Sequence, residues 1–141
     1  MPDTFPDTFP DTFPDTFIVV RHAERPTVAF AGGATYQPII GDDNGAGVPI
    51  RTGIQTSPPG YRTRLHSHPY IEILSVIEGR GEAWLAGKEG VVPLEPGVSI
   101  ALPANQPHAF RVIGDQPLVT FGTHVSDRRI VKYLEPLVDG E

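Results

Sequence analysis

From Phe17 onward the chain alternates between short apolar runs and clusters of Gly, Pro, Asn and Asp. Phe17 to Val20 is apolar and is followed by the polar stretch Arg21 to Pro26. Thr27 to Phe30 and Tyr36 to Ile40 read as strands with Gly32-Gly33 between them, and Gly41 to Gly47 reads as a loop. Val48 to Thr56 alternates, and Ser57-Pro-Pro-Gly60 turns the chain. Ile71 to Glu78 is apolar and β-branched and stops at Gly79; Glu82 to Leu85 pairs back before a turn at Gly87 to Gly90. Val91 to Leu94, Val98 to Leu102, Ala109 to Ile113 and Leu118 to Thr123 complete the series. One short C-terminal helix could form over Arg129 to Leu134, ahead of Pro136. Even spacing, Gly/Pro turns and almost no helical periodicity predict an all-β sandwich or barrel.

The first seventeen residues break this pattern. Residues 2 to 17 are four copies of Pro-Asp-Thr-Phe, a period that matches no solenoid unit. A proline at every fourth position excludes both a helix and a sheet interior. A disordered or polyproline-like arm over 1–17 is therefore expected, ahead of a single domain over 18–141. The arm also distorts the charge. Asp3, Asp7, Asp11 and Asp15 supply four of the six net negative charges, and residues 18–141 carry only −2. That near-neutral body gives no electrostatic case for nucleic acid or an anionic membrane. Arg128-Arg129-x-x-Lys132 is too short a basic cluster and reads as a solvated helix face. The chain has no cysteine, which removes disulfides and thiolate ligands. No apolar run approaches the roughly 20 residues of a membrane span, and the repeat does not look like a secretory signal. A cytoplasmic protein is expected.

Candidate chemistry is concentrated between Gly60 and Gly79. His66 and His68 share one face of a strand, because side chains alternate with period two. Glu72 has the same parity, and all three side chains converge if the chain turns at Pro69. Two imidazoles and a carboxylate aimed at one point form part of a divalent-metal site. The fixed positions Gly60, His66, His68, Glu72 and Gly79 resemble the first motif of the cupin family at every spacing. Gly97, Pro103 and His108 match its second motif, while Asn105 stands where Gly is usual and Val112 where Asn is usual. Asn tolerates the left-handed backbone, so the turn at Asn105 is expected to survive. Val112 cannot hydrogen-bond, so any role of the family's Asn is absent here.

The resemblance implies a jelly-roll β-barrel over about 48–124, a homodimer, and His108 as fourth ligand beside His66, His68 and Glu72. Three imidazoles and one carboxylate suit a divalent Fe, Mn, Ni, Co, Zn or Cu ion, with two positions of an octahedron left open. A small organic molecule in the barrel mouth is the expected partner. Strand parity adds Arg62 and Arg64, which would need a carboxylate from substrate or from Glu82. It also adds Tyr70 and Phe110 as aromatic wall, beside any substrate. His22 and His124 stand alone and read as surface or structural histidines. A small metalloenzyme is the leading class, dioxygenase-type first and isomerase or lyase second. A non-catalytic module for a small ligand or sugar is the alternative.

Four Asp spaced four apart in a Pro-rich arm cannot converge on a metal. Deleting residues 1 to 16 should leave metal content and the thermal midpoint of the barrel nearly unchanged, measured by elemental analysis and calorimetry. Loss of metal on truncation would contradict this reading.

Overall fold

The computed structural model describes residues 16–41, 43–44 and 48–135. All but the last two residues of the repeat arm lie outside the described residues. Eleven strands are described: β1 (Val28–Ala29), β2 (Thr35–Pro38), β3 (Arg51–Ser57), β4 (His66–Ser67), β5 (Glu72–Glu78), β6 (Arg80–Leu85), β7 (Val92–Leu94), β8 (Ser99–Leu102), β9 (His108–Ile113), β10 (Leu118–His124) and β11 (Lys132–Tyr133). They form two antiparallel sheets, one ordered β1-β2-β3-β10-β5-β8 and the other β11-β4-β9-β6-β7. This is the expected jelly roll.

Period-two alternation decides what faces inward. On β5, Leu74 and Val76 are buried while Ile73 and Ile77 stand exposed on the outer face. Leu102 and Leu118 join them from the same sheet, and Ala83, Leu94, Phe110 and Val112 meet them from the other. Val112 thus spends its departure from the family motif on core packing. A buried Val contributes about 1.5–3 kcal/mol relative to exposure, where a buried Asn would need a partner.

Two turns fix the frame of the site. The β5–β6 connection turns at Gly79 with φ 84°, and a Cβ there would run into the Pro117 carbonyl oxygen. Asn105 is the one non-glycine residue with positive φ among the described residues, at 64°, as the turn requires. Its N–H donates to the His68 carbonyl at 2.7 Å, so the second motif's turn grips the first motif's backbone.

The C-terminal segment corrects the sequence reading. Instead of a helix over Arg129 to Leu134, Lys132 and Tyr133 pair with Ser67 and His66, and the Leu134 N–H donates to Leu65 O at 2.9 Å. A helix this short has too few internal bonds to repay nucleation, whereas the open edge of β4 offers ready acceptors. Phe17 to Val20 forms no strand either, and Phe17 is 93% exposed. No helix among the described residues is long and apolar enough to cross a membrane.

Gly79→Ala should lower the urea midpoint by the equivalent of about 1–3 kcal/mol, combining left-handed strain with the collision. Gly87→Ala, at φ 75° but in open space, should cost only the strain, about 1–2 kcal/mol or less. Equal losses at the two positions would show that the Pro117 contact is unimportant.

Candidate metal centre

The two sheets enclose a cavity of about 510 Å³ at one end of the sandwich. Strand register places two pairs of polar side chains against it. His66 and His108 are direct partners across β4 and β9, and Glu72 and His124 are direct partners across β5 and β10. Each pair belongs to a different sheet. The chain crosses between the sheets at Pro69-Tyr70, and His68 stands at that crossing, buried. Ring centroids of His66 and His108 are 4.4 Å apart, and those of His68 and His108 are 4.9 Å apart.

The donor atoms fall into two overlapping sets. Those of His66, His68 and His108 lie within 4.8 Å of one another, and so do those of His68, Glu72 and His124. The four residues expected from the sequence are therefore joined through His68. Three of the imidazoles are aimed by backbone. Nδ1 of His66 meets Arg64 O at 2.6 Å, Nδ1 of His68 meets Tyr70 O at 3.1 Å, and Nδ1 of His108 meets Gln106 O at 3.0 Å. A carbonyl only accepts, so Nδ1 carries the hydrogen and Nε2 keeps its lone pair for the cavity.

His68 supplies a test of whether a cation fits. Its Nε2 lies 2.9 Å from Glu72 Oε1 while its Nδ1 serves Tyr70 O. A neutral imidazole has one hydrogen for these two acceptors, and a cation between Nε2 and Oε1 satisfies the second contact. The electrostatics agree with that donor set. Burial, and then the neighbouring His66, lower the pKa of His108 to about 4. Burial likewise lowers His66 and His124. Burial pushes Glu72 upward, but its contact with His68 and the fields of His124, His68 and His108 outweigh it and leave its pKa lowered. At neutral pH Glu72 is ionised and these three imidazoles hold free lone pairs.

The remaining expected residues divide. Arg64 lines the cavity with its guanidinium 3.6 Å from the centre of the Tyr133 ring. Tyr70 is buried, stacks on His68 at 4.6 Å between ring centroids, and accepts from Arg51 Nη2 at 3.0 Å. Phe110 is buried, packs against Tyr61 and lines the cavity. Arg62 sits at the rim and pairs with Glu135 through two contacts of 3.0 Å. Glu82 is bonded by Arg111 at 2.9 Å and does not serve Arg62 or Arg64. His22 is exposed in a 3₁₀ turn.

Among the cavity residues that the sequence does not assign to the site are His124, Arg51, Arg129 and Tyr133. His124 has inward parity with Leu118, Thr120 and Gly122, a signal that was present in the strand. Arg51 is its register partner on β3. Arg129 was assigned to a solvated helix face, but it lines the cavity and donates to the Tyr133 hydroxyl at 3.1 Å.

A cupin-domain family model matches residues 53–124. Among solved structures, a cupin-like protein from Thermotoga maritima is 26% identical with a TM-score of 0.66, covering 77% of this chain and 80% of that one. The polyketide cyclase RemF from Streptomyces resistomycificus is 19% identical with a TM-score of 0.73, covering 89% of each chain. Bacillus subtilis oxalate decarboxylase is 22% identical with a TM-score of 0.69, covering 81% of this chain but only 31% of the decarboxylase. At the last two identities the likeness is one of fold. No curated protein matches the chain.

The depressed imidazole pKa values set a stability slope for the metal-free protein. Where the folded pKa lies below the unfolded value of 6.5, the unfolded chain binds more protons as pH falls. Stability present above pH 6.5 should therefore be lost progressively toward pH 4. Chelator-treated protein should show a falling urea midpoint across that window, and His108→Gln a shallower fall. A midpoint flat across the window would contradict the burial argument.

Proposed function

Because the chain belongs to the cupin family, we propose that it is a small metal-dependent enzyme acting on an organic acid. One divalent transition metal would be held by His66, His68, Glu72 and His108. The observation behind this reading is the set of carbonyl-anchored imidazoles whose Nε2 atoms face one cavity beside an ionised carboxylate. When bound, the ion would supply Lewis acidity and a template for the substrate.

The chain's own residues supply the rest. Arg64 would meet the negative charge of a carboxylate or enolate, its planar fork matching both oxygens. Tyr70 and Phe110 would wall the cavity and exclude water around the reacting group. The volume of about 510 Å³ suits a small organic molecule. Fold neighbours named as an oxalate decarboxylase and a polyketide cyclase are in keeping with an acid or enolate substrate. With iron, oxygen-dependent cleavage of the dioxygenase type would follow; with zinc or manganese, the same charge stabilisation would favour isomerisation or elimination. The exposed Ile73 and Ile77 on the outer sheet face would suit a homodimer.

Protein purified without chelators should contain close to one transition metal per chain by elemental analysis. A His66→Ala/His68→Ala double variant should contain none while staying folded. Arg64→Lys should weaken binding of small oxo-acids while leaving metal content unchanged, since a point charge cannot replace the fork. Full metal occupancy in the double variant would overturn the ligand set. Saturable binding with no turnover under any of the metals would select the non-catalytic module.

A further inference from the structure

His124 closes β10 opposite Glu72. Thr120, Gly122 and His124 all face the cavity. The His124 ring lies over its own strand, with Nε2 3.5 Å from where a Gly122 Cβ would be, an ordinary packing distance. Its Nδ1 stands 3.9 Å from Glu72 Oε1. That Nδ1 is buried and has no hydrogen-bond partner.

The contrast with the other three histidines is informative. His66, His68 and His108 each commit Nδ1 to a carbonyl two residues away. His124 has no such anchor, and it presents Nδ1 bare beside an ionised carboxylate. A buried imidazole nitrogen without a partner has lost its water for nothing in return, and a cation at Glu72 would supply the missing contact.

The distances from Glu72 put His68 and His124 within reach of one ion. Donors about 2.1 Å from a six-coordinate ion stand about 3.0 Å apart when adjacent and about 4.2 Å apart when opposite. His68 Nε2 and Glu72 Oε1, at 2.9 Å, have the adjacent spacing. His124 Nδ1 and Glu72 Oε1, at 3.9 Å, lie between the two limits. His68 belongs to both donor sets, which do not merge into one group within 4.8 Å, so a single ion would have to draw the two sets together around His68. We infer that His124, through Nδ1, is a fifth protein donor to the ion held by His66, His68, Glu72 and His108. This rests on the metal reading above and deepens it. With five protein donors a six-coordinate ion would keep one position for substrate, which would suit polarisation of a bound group and so the isomerisation or elimination branch.

The test is a count of bound imidazoles in the cobalt(II)-loaded full chain. Each cobalt-bound imidazole leaves its other ring N–H as a strongly shifted, exchangeable proton resonance. The wild-type chain should show four such resonances and His124→Gln three. Chelator competition should show cobalt affinity falling by roughly tenfold to a hundredfold or more in the variant. His124→Phe, which fills the same space, should behave alike and serves if the Gln variant folds poorly. Three resonances in wild type would overturn the inference while leaving the metal reading intact, and the wild-type count needs no variant to fold. A wild-type chain that takes up no cobalt would overturn both.

Discussion

Each of the three motif imidazoles is held by the carbonyl oxygen two residues away, from Arg64, Tyr70 or Gln106. Each such bond contributes only about 0.5–1.5 kcal/mol net, yet it fixes the tautomer and aims Nε2 at the cavity. The anchor is backbone, so it does not depend on which side chain stands at position 64, 70 or 106. Two of the three anchors span a bend, at Leu65 and at Pro69-Tyr70, which returns the carbonyl to its neighbour's ring. The sheet must therefore end at the site. β4 is two residues long, β9 begins at His108 and β10 finishes at His124.

The same requirement explains the two turns. If the His68 carbonyl drifted, its ring would lose its position at the crossing between sheets. Asn105 prevents that by donating its N–H to this carbonyl from a left-handed turn. Gly79 holds the far end of β5 against β10, and that pairing sets Glu72 opposite His124. First and second motifs are thus coupled through one backbone hydrogen bond and one register.

Much of this could be read in the sequence because it is local. Parity puts His66 and His68 on one face, the turn at Pro69 brings in Glu72 from the other sheet, and Asn105 at the motif's glycine position marks a left-handed turn. The strand series was legible from Gly/Pro punctuation for the same reason. What was lost depended on distant partners. Lys132 and Tyr133 become a strand only because β4 leaves an edge open, which no window around Arg129 reveals. Arg62 finds Glu135 across 73 positions of sequence. His124 was legible in principle, at inward parity on a recognised strand, but its partner Glu72 lies on another strand. Treating it as isolated confused isolation in sequence with isolation in space.

The cavity's charge then constrains what can enter. Glu72 carries the one negative charge of the donor cluster, and a divalent ion would leave that cluster with a net positive charge. Arg51, buried beside Tyr70, and the cavity-lining Arg64 and Arg129 add positive charge around it. Both Arg51 and Arg129 act to lower the pKa of His124, so their fields reach the centre. Arg64 on the face of Tyr133 and Arg129 on its hydroxyl bring two guanidiniums to one phenol at the mouth. An anion would draw on all of these groups as it approached. The proposed organic-acid substrate would meet these groups on entry, and the aromatic partners of the arginines would suit a planar, delocalised anion.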